Sequence, residues 1–136
     1  MNRLTVACCV ALLTACGGSG SVGGNVRGSG VIVVTALGAS QPYPSSPSNR
    51  FNILAGTSEG FNVTESGYSG NFAAAVVAAA VLPGSNACIA VSPSSAPLAF
   101  LISTTSGGPI CLSPQTADIR FSDSFGNMTT FYVQAI

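Results

Sequence analysis

The stretch that decides the fold is Ala117-Asp118-Ile119-Arg120-Phe121-Ser122-Asp123-Ser124-Phe125-Gly126-Asn127-Met128-Thr129-Thr130-Phe131-Tyr132-Val133-Gln134-Ala135. Its first six residues alternate, so Ile119 and Phe121 point to one face of a strand. Phe131, Val133 and Ala135 share one face of the next strand. Between them, Asp123 to Asn127 is a hairpin connection in which Gly126 is free to take a positive φ. Upstream, Leu98, Phe100 and Ile102 alternate, Ile89 and Val91 share a face before Pro93, and Phe61 and Val63 share another. Phe51 to Leu54 and the β-branched Val31-Ile32-Val33-Val34 read as two further strands. Gln41 to Asn49, with three prolines, reads as an exposed loop, and Ser66-Gly67-Tyr68-Ser69-Gly70 as a turn. Asn71 to Leu82 is alanine-rich, which favours helix by propensity, but its all-β surroundings favour a strand with an irregular end. Seven to nine short strands with no secure amphipathic helix predict an all-β, antiparallel β-sandwich.

The chain has 136 residues, the size of one domain. Its only charges are Arg3, Arg27, Arg50 and Arg120 against Glu59, Glu65, Asp118 and Asp123, and it has no Lys, His or Trp. Nucleic-acid binding needs clustered cations to neutralise phosphates, so that partner class is excluded. A spanning helix needs about 20 consecutive apolar residues. The longest apolar run, Phe72 to Leu82, is about half of that length.

Met1 to Ala15 has the order of an export signal: Arg3, then the apolar Val6 to Leu13, then small residues. Leu13-Thr14-Ala15-Cys16, followed by Gly17 and Gly18, resembles the lipobox of bacterial lipoproteins. The resemblance implies cleavage before Cys16, a diacylglycerol on its thiol and acylation, as by palmitate, of the new amine. Two or three acyl chains anchor firmly, since each buried CH₂ contributes about 0.8 kcal/mol. Gly17, in place of Asp, implies the outer membrane by the family's sorting rule. Gly17 to Gly30 holds seven glycines with Ser19, Ser21 and Ser29 between them, a flexible tether spanning roughly 20 Å. The expected organisation is signal peptide 1–15, acylated Cys and tether 16–30, and domain 31–136.

With Cys8 and Cys9 removed and Cys16 acylated, Cys88 and Cys111 remain. In an oxidising compartment such a pair is expected to bond, closing a loop of about 23 residues and adding on the order of 3 kcal/mol. The alternative of two separately buried thiols stays open. Two Cys without His do not make a zinc site, and no metal or cofactor is expected.

Three stretches resemble bacterial immunoglobulin-like surface modules. Phe61-Asn-Val-Thr-Glu-Ser-Gly-Tyr-Ser-Gly-Asn-Phe72 is similar to their V-x-V-x-E-x-G-Y-x-G-x-F opening. Cys88-Ile-Ala-Val-Ser-Pro93 is similar to their C-x-x-V-S-P strand end, and Ile119 to Asn127 with Phe131-Tyr-Val133 to their closing hairpin. The segment Leu112 to Thr116, Pro109 and the alanine-rich stretch depart from that pattern. The resemblance implies an immunoglobulin-like sandwich with a structural or adhesive role at the cell surface. It carries no catalytic residue.

A serine nucleophile needs a base such as His, and the chain has neither His nor Lys. Glu59 with Glu65, or Asp118 with Asp123, are the carboxylate pairs close enough in sequence for hydrolytic acid–base chemistry. A carboxylate-dependent hydrolase is therefore the least favoured reading, and the chain is read as a non-enzyme. Asp123 and Asn127 are expected to brace their hairpin rather than hold calcium. Tyr43 and Tyr68 lie in expected loops, with Tyr68 packing across its turn. The expected function is a lipid-anchored envelope module with a protein or glycan partner. The alternative is an accessory or assembly subunit of an envelope complex docking by strand-edge pairing, which an edge without inward charges would favour.

Overall fold

The computed structural model describes residues 26–84, 87–95, 98–104 and 114–136. Among them are eight strands: β1 (Ile32–Ala36), β2 (Phe51–Ile53), β3 (Ser58–Glu65), β4 (Ala73–Ala80), β5 (Ile89–Pro93), β6 (Ala99–Thr104), β7 (Gln115–Ser122) and β8 (Met128–Ala135). They form two four-stranded sheets, ordered β1-β3-β6-β5 and β2-β8-β7-β4. Taken in chain order, this is the ABED and GFC arrangement of an immunoglobulin-type sandwich, with β2 added beside the last strand.

The expectation of a wholly antiparallel sandwich is corrected at that added strand. β2 runs parallel to β8, pairing Phe51 with Val133 and Ile53 with Ala135. A parallel neighbour needs a crossover rather than a hairpin. β2 and β8 are instead separated by β3 to β7, and the proline-bearing segment between β1 and β2 carries the chain from one sheet to the other. Tyr43 in this segment donates its hydroxyl to Asn49 Oδ1 at 3.0 Å and to the Arg50 carbonyl at 3.1 Å. Its ring meets Phe51 edge-on at 5.1 Å and Phe131 at 6.4 Å. Tyr43 therefore plugs the seam between the sheets.

The inward faces are the ones the alternation predicts. Phe61 and Val63 on β3, Ile102 on β6, Ile119 and Phe121 on β7, and Val133 on β8 are buried completely. Each such side chain contributes about 1.5–3 kcal/mol on burial. The rings connect the two sheets: Phe61 meets Phe131 at 5.1 Å and Phe51 at 5.0 Å, and Phe100 meets Phe121 at 5.2 Å. Each pair is tilted toward the edge-to-face geometry that the ring quadrupole favours.

Two sequence expectations shift. Leu98, expected to face inward with Phe100 and Ile102, instead lies just before β6 with φ 59° and is exposed. The chain turns there in a left-handed conformation that side chains with a Cβ rarely adopt. The irregularity in β4 falls mid-strand, where the register with β7 slips between Val76 and Ala78 and leaves Val77 as a bulge.

Replacing Phe131 by Ala removes the ring shared by Phe61, Phe51 and Tyr43. Denaturant unfolding is expected to show a loss of about 3–5 kcal/mol, against under 1 kcal/mol (roughly the surface range) for Phe125→Ala in the exposed turn.

Candidate functional site

Two features stand out: the edge of β4 and a pair of carboxyl groups at one end of the sandwich. Among the described residues β4 is the terminal strand of its sheet, so one side of its backbone has no described strand beside it. The other terminal strands are shorter: β2 has three residues, while β1 and β5 have five each and β5 includes Pro93. β4 has eight, Ala73-Ala-Ala-Val-Val-Ala-Ala-Ala80, with no charge and no proline. Val76 and Val77 on it, and Val81 and Leu82 just beyond, are exposed. Edges are ordinarily blunted by Lys, Pro, inward charges or bulges, and here only the bulge at Val77 is present. Alanine keeps this edge flat, because its side chain stands no higher than a methyl group.

Among the described residues, Arg50 and the four carboxylates are placed as follows. Asp118, expected beside Arg120, instead forms an ion pair with Arg50, whose Nη1 lies 2.8 Å from Asp118 Oδ1. The same Nη1 also donates to the carbonyls of Ala117 at 3.2 Å and Val133 at 3.4 Å, and the guanidinium lies 5.4 Å from the Tyr132 ring centroid. Arg50 thus ties β2 to β7 and β8 across the outer face of their sheet. Glu59 is exposed on β3 opposite Ile102. Neither Glu59 with Glu65 nor Asp118 with Asp123 forms the pair that the sequence spacing suggested.

The structure places Glu65 and Asp123 at the same end of the sandwich. β3 continues its inward parity from Phe61 and Val63 to Glu65, which is only 6% exposed at the strand end. The parity itself was the signal for this placement. Asp123 opens the β7–β8 turn, where Oδ1 accepts the N–H groups of Phe125 at 2.9 Å and Asn127 at 2.8 Å, and Oδ2 accepts Asn127 Nδ2 at 2.7 Å. This is the hairpin-bracing role expected of Asp123 and Asn127. Burial opposes ionisation of Asp123, but the donors from Asn127 and Phe125 outweigh it and hold the carboxyl below its usual range. Tyr68 closes the same end. Its ring stacks on Phe72 at 4.9 Å, and its hydroxyl donates to the Asn71 carbonyl at 2.8 Å and accepts the Ser124 N–H at 3.1 Å.

Cys88 is buried before β5. Its N–H donates to Gln115 Oε1 at 3.1 Å, and Gln115 Nε2 donates to its Sγ at 3.4 Å. Cys16 and Cys111, and with them the lipobox and the second partner of the expected disulfide, lie outside the described residues. A groove of about 400 Å³ is lined by Asn71, Phe72, Pro93, Leu98 and Phe100 among others, and none of its lining side chains is an acid or base. No group of three or more His, Cys, Asp or Glu side chains able to hold a metal occurs among the described residues. No protein-family model, curated protein or solved structure matches the chain.

Because the folded carboxyl of Asp123 titrates below the ordinary 3.8, its contribution to stability is complete above that pH and is lost as pH falls through the lowered value. Unfolding midpoints measured down this acid range should fall for the wild type. Asp123→Asn should start from a lower midpoint and show a shallower fall.

Proposed function

We propose that this chain is a lipid-anchored interaction module of the bacterial cell envelope, with no chemistry of its own, that docks a partner strand along the β4 edge. The observation that carries the docking is that edge: eight consecutive residues without charge or proline on a terminal strand. An added strand gains main-chain hydrogen bonds along such an edge, and alternate side-chain positions supply selectivity. Ala73 to Val76, paired without interruption to Ser122 through Ile119, offers the regular half of the edge ahead of the bulge. This favours the accessory-subunit form of the module, in which the partner is a protein strand rather than a glycan.

The anchor rests on the sequence. Leu13-Thr14-Ala15-Cys16 supplies the lipidation site at Cys16, and the glycine-rich residues that follow supply reach. In this reading the protein sits on the outer membrane, and Cys88 bonds to Cys111 in the oxidising space outside the cytoplasm. The buried position of Cys88 supports a structural rather than a reactive role for it. The mechanism is display: a lipid, a spacer and a rigid sandwich that presents one unpaired strand.

A photoreactive residue in place of Ala73 on β4, compared with one in place of Ser92 on the β5 edge, tests the docking in intact cells. The expected result is a discrete adduct from position 73, lost when Ala80→Lys places a charge on the same edge. No adduct from β4, or equal adducts from both edges, contradicts the proposal.

A further inference from the structure

The segment leading into β1 is fastened to one end of the sandwich. The Val26 N–H donates to Ser69 Oγ at 3.0 Å, the Ser29 N–H to the Ser66 carbonyl at 2.9 Å, and the Gly30 N–H to Glu65 Oε1 at 2.6 Å. Gly28 lies against the same carboxyl group, where an added Cβ would come within 2.6 Å of Glu65 Cδ. Val26 to Gly30, the end of the glycine-rich stretch, therefore belongs to the folded domain. Only the nine residues Gly17 to Asn25 separate Cys16 from the first fastening.

That length decides which end of the sandwich meets a lipid layer that holds Cys16. A random coil of nine residues spans about 15–18 Å. β3 and β8 each run for eight residues from the fastened end to the other, about 27 Å. The far end carries the exposed Leu37, Leu54 and Ile136. For it to touch the lipid, the nine residues would have to lie beside the sandwich at nearly their full stretch of about 30 Å. The fastened end is within reach of a relaxed spacer.

The chemistry of the two ends points the same way. Val26, Val31, Phe125 and Met128 are exposed at the fastened end, with Phe125 in the β7–β8 turn and its ring 6.1 Å from Tyr68. The far end is also apolar, so apolar exposure does not choose between them. Charge does. At the fastened end both carboxylates, Glu65 and Asp123, are buried, whereas Arg27 and Arg120, two residues before the end of β7, are exposed. Glu59 is exposed near the far end of β3, and Arg50 is neutralised by Asp118. Apolar side chains beside exposed cations are what an anionic headgroup layer attracts.

We infer that the end of the sandwich formed by Val26 to Val31 and the β3–β4 and β7–β8 turns lies on a bilayer surface bearing anionic headgroups, with Phe125 entering the interface. The inference rests on the lipid anchor at Cys16 proposed above. β4 then runs away from the bilayer, with Ala73 nearest to it and Ala80 farthest, and its edge stays open to a partner.

The chain has no tryptophan, so one introduced tryptophan is a unique reporter of contact with lipid. Phe125→Trp and Leu54→Trp, both at exposed positions, would be made separately in the full-length chain and extracted from membranes. Each would be weighed for lipid on Cys16 and reconstituted into vesicles of phosphatidylethanolamine and phosphatidylglycerol with brominated acyl chains, which quench tryptophan on close approach. The expected result is loss of fluorescence at position 125 and none at position 54, relative to unbrominated vesicles. The loss at 125 should shrink in brominated phosphatidylcholine alone, and also when Arg27→Gln and Arg120→Gln are added. Equal loss at both positions, loss only at 54, or no loss at either overturns the orientation, while a lipidated mass leaves the anchor standing. A loss at 125 that is as large in phosphatidylcholine overturns the choice of an anionic surface. A mass without lipid overturns the anchor, and this orientation with it.

Discussion

The contact between Phe61 on β3 and Phe131 on β8 is the constraint on which the rest of the structure depends. In antibody-type sandwiches a disulfide between the second and sixth strands packs against a buried tryptophan and joins the sheets. This chain has no tryptophan and no cysteine on β3. Phenylalanines take that place: Phe61, Phe131 and Phe51 form one cluster, and Phe100 meets Phe121 in a second pair. Edge-to-face rings add about 0.5–1.5 kcal/mol per pair beyond the area they bury. By fixing β3 against β8, the rings also fix which strands become edges and which turns meet at each end.

The readable part of the fold lay where one face of a strand is buried and the other is wet. There the period-two pattern has a single solution, so Ile119, Phe121, Phe131, Val133 and Ala135 all point where alternation puts them. What escaped reading depended on contacts distant in sequence. The parallel pairing of β2 depends on β8, some eighty residues later, and no local pattern encodes its direction. Leu98 continued the alternation on paper, but the turn before β6 rotated it out. The expected carboxylate pairs were neighbours in sequence, whereas the fold brings Glu65 at the end of β3 and Asp123 in the β7–β8 turn to one end of the sandwich. Arg50 found Asp118 across the sheet for the same reason.

Four of the eight charges of the chain are used in construction. Arg50 and Asp118 tie three strands, Asp123 braces a hairpin, and Glu65 holds the segment entering β1. The edge of β4 carries no charge along its eight residues, and an unblunted edge of that kind is the one open to a further strand. In the proposed reading, the lipid anchor would fix the domain in place and the strand edge would present it to a partner.

The intact mass of the protein extracted from membranes, with and without reduction before alkylation, tests the anchored-module account most directly. The account predicts a chain beginning at Cys16 with a diacyl or triacyl increment, and two alkylations, at Cys88 and Cys111, that appear only after reduction. A chain without lipid, or one still carrying residues 1–15, contradicts the anchor on which the functional reading rests. Alkylation without reduction contradicts the disulfide.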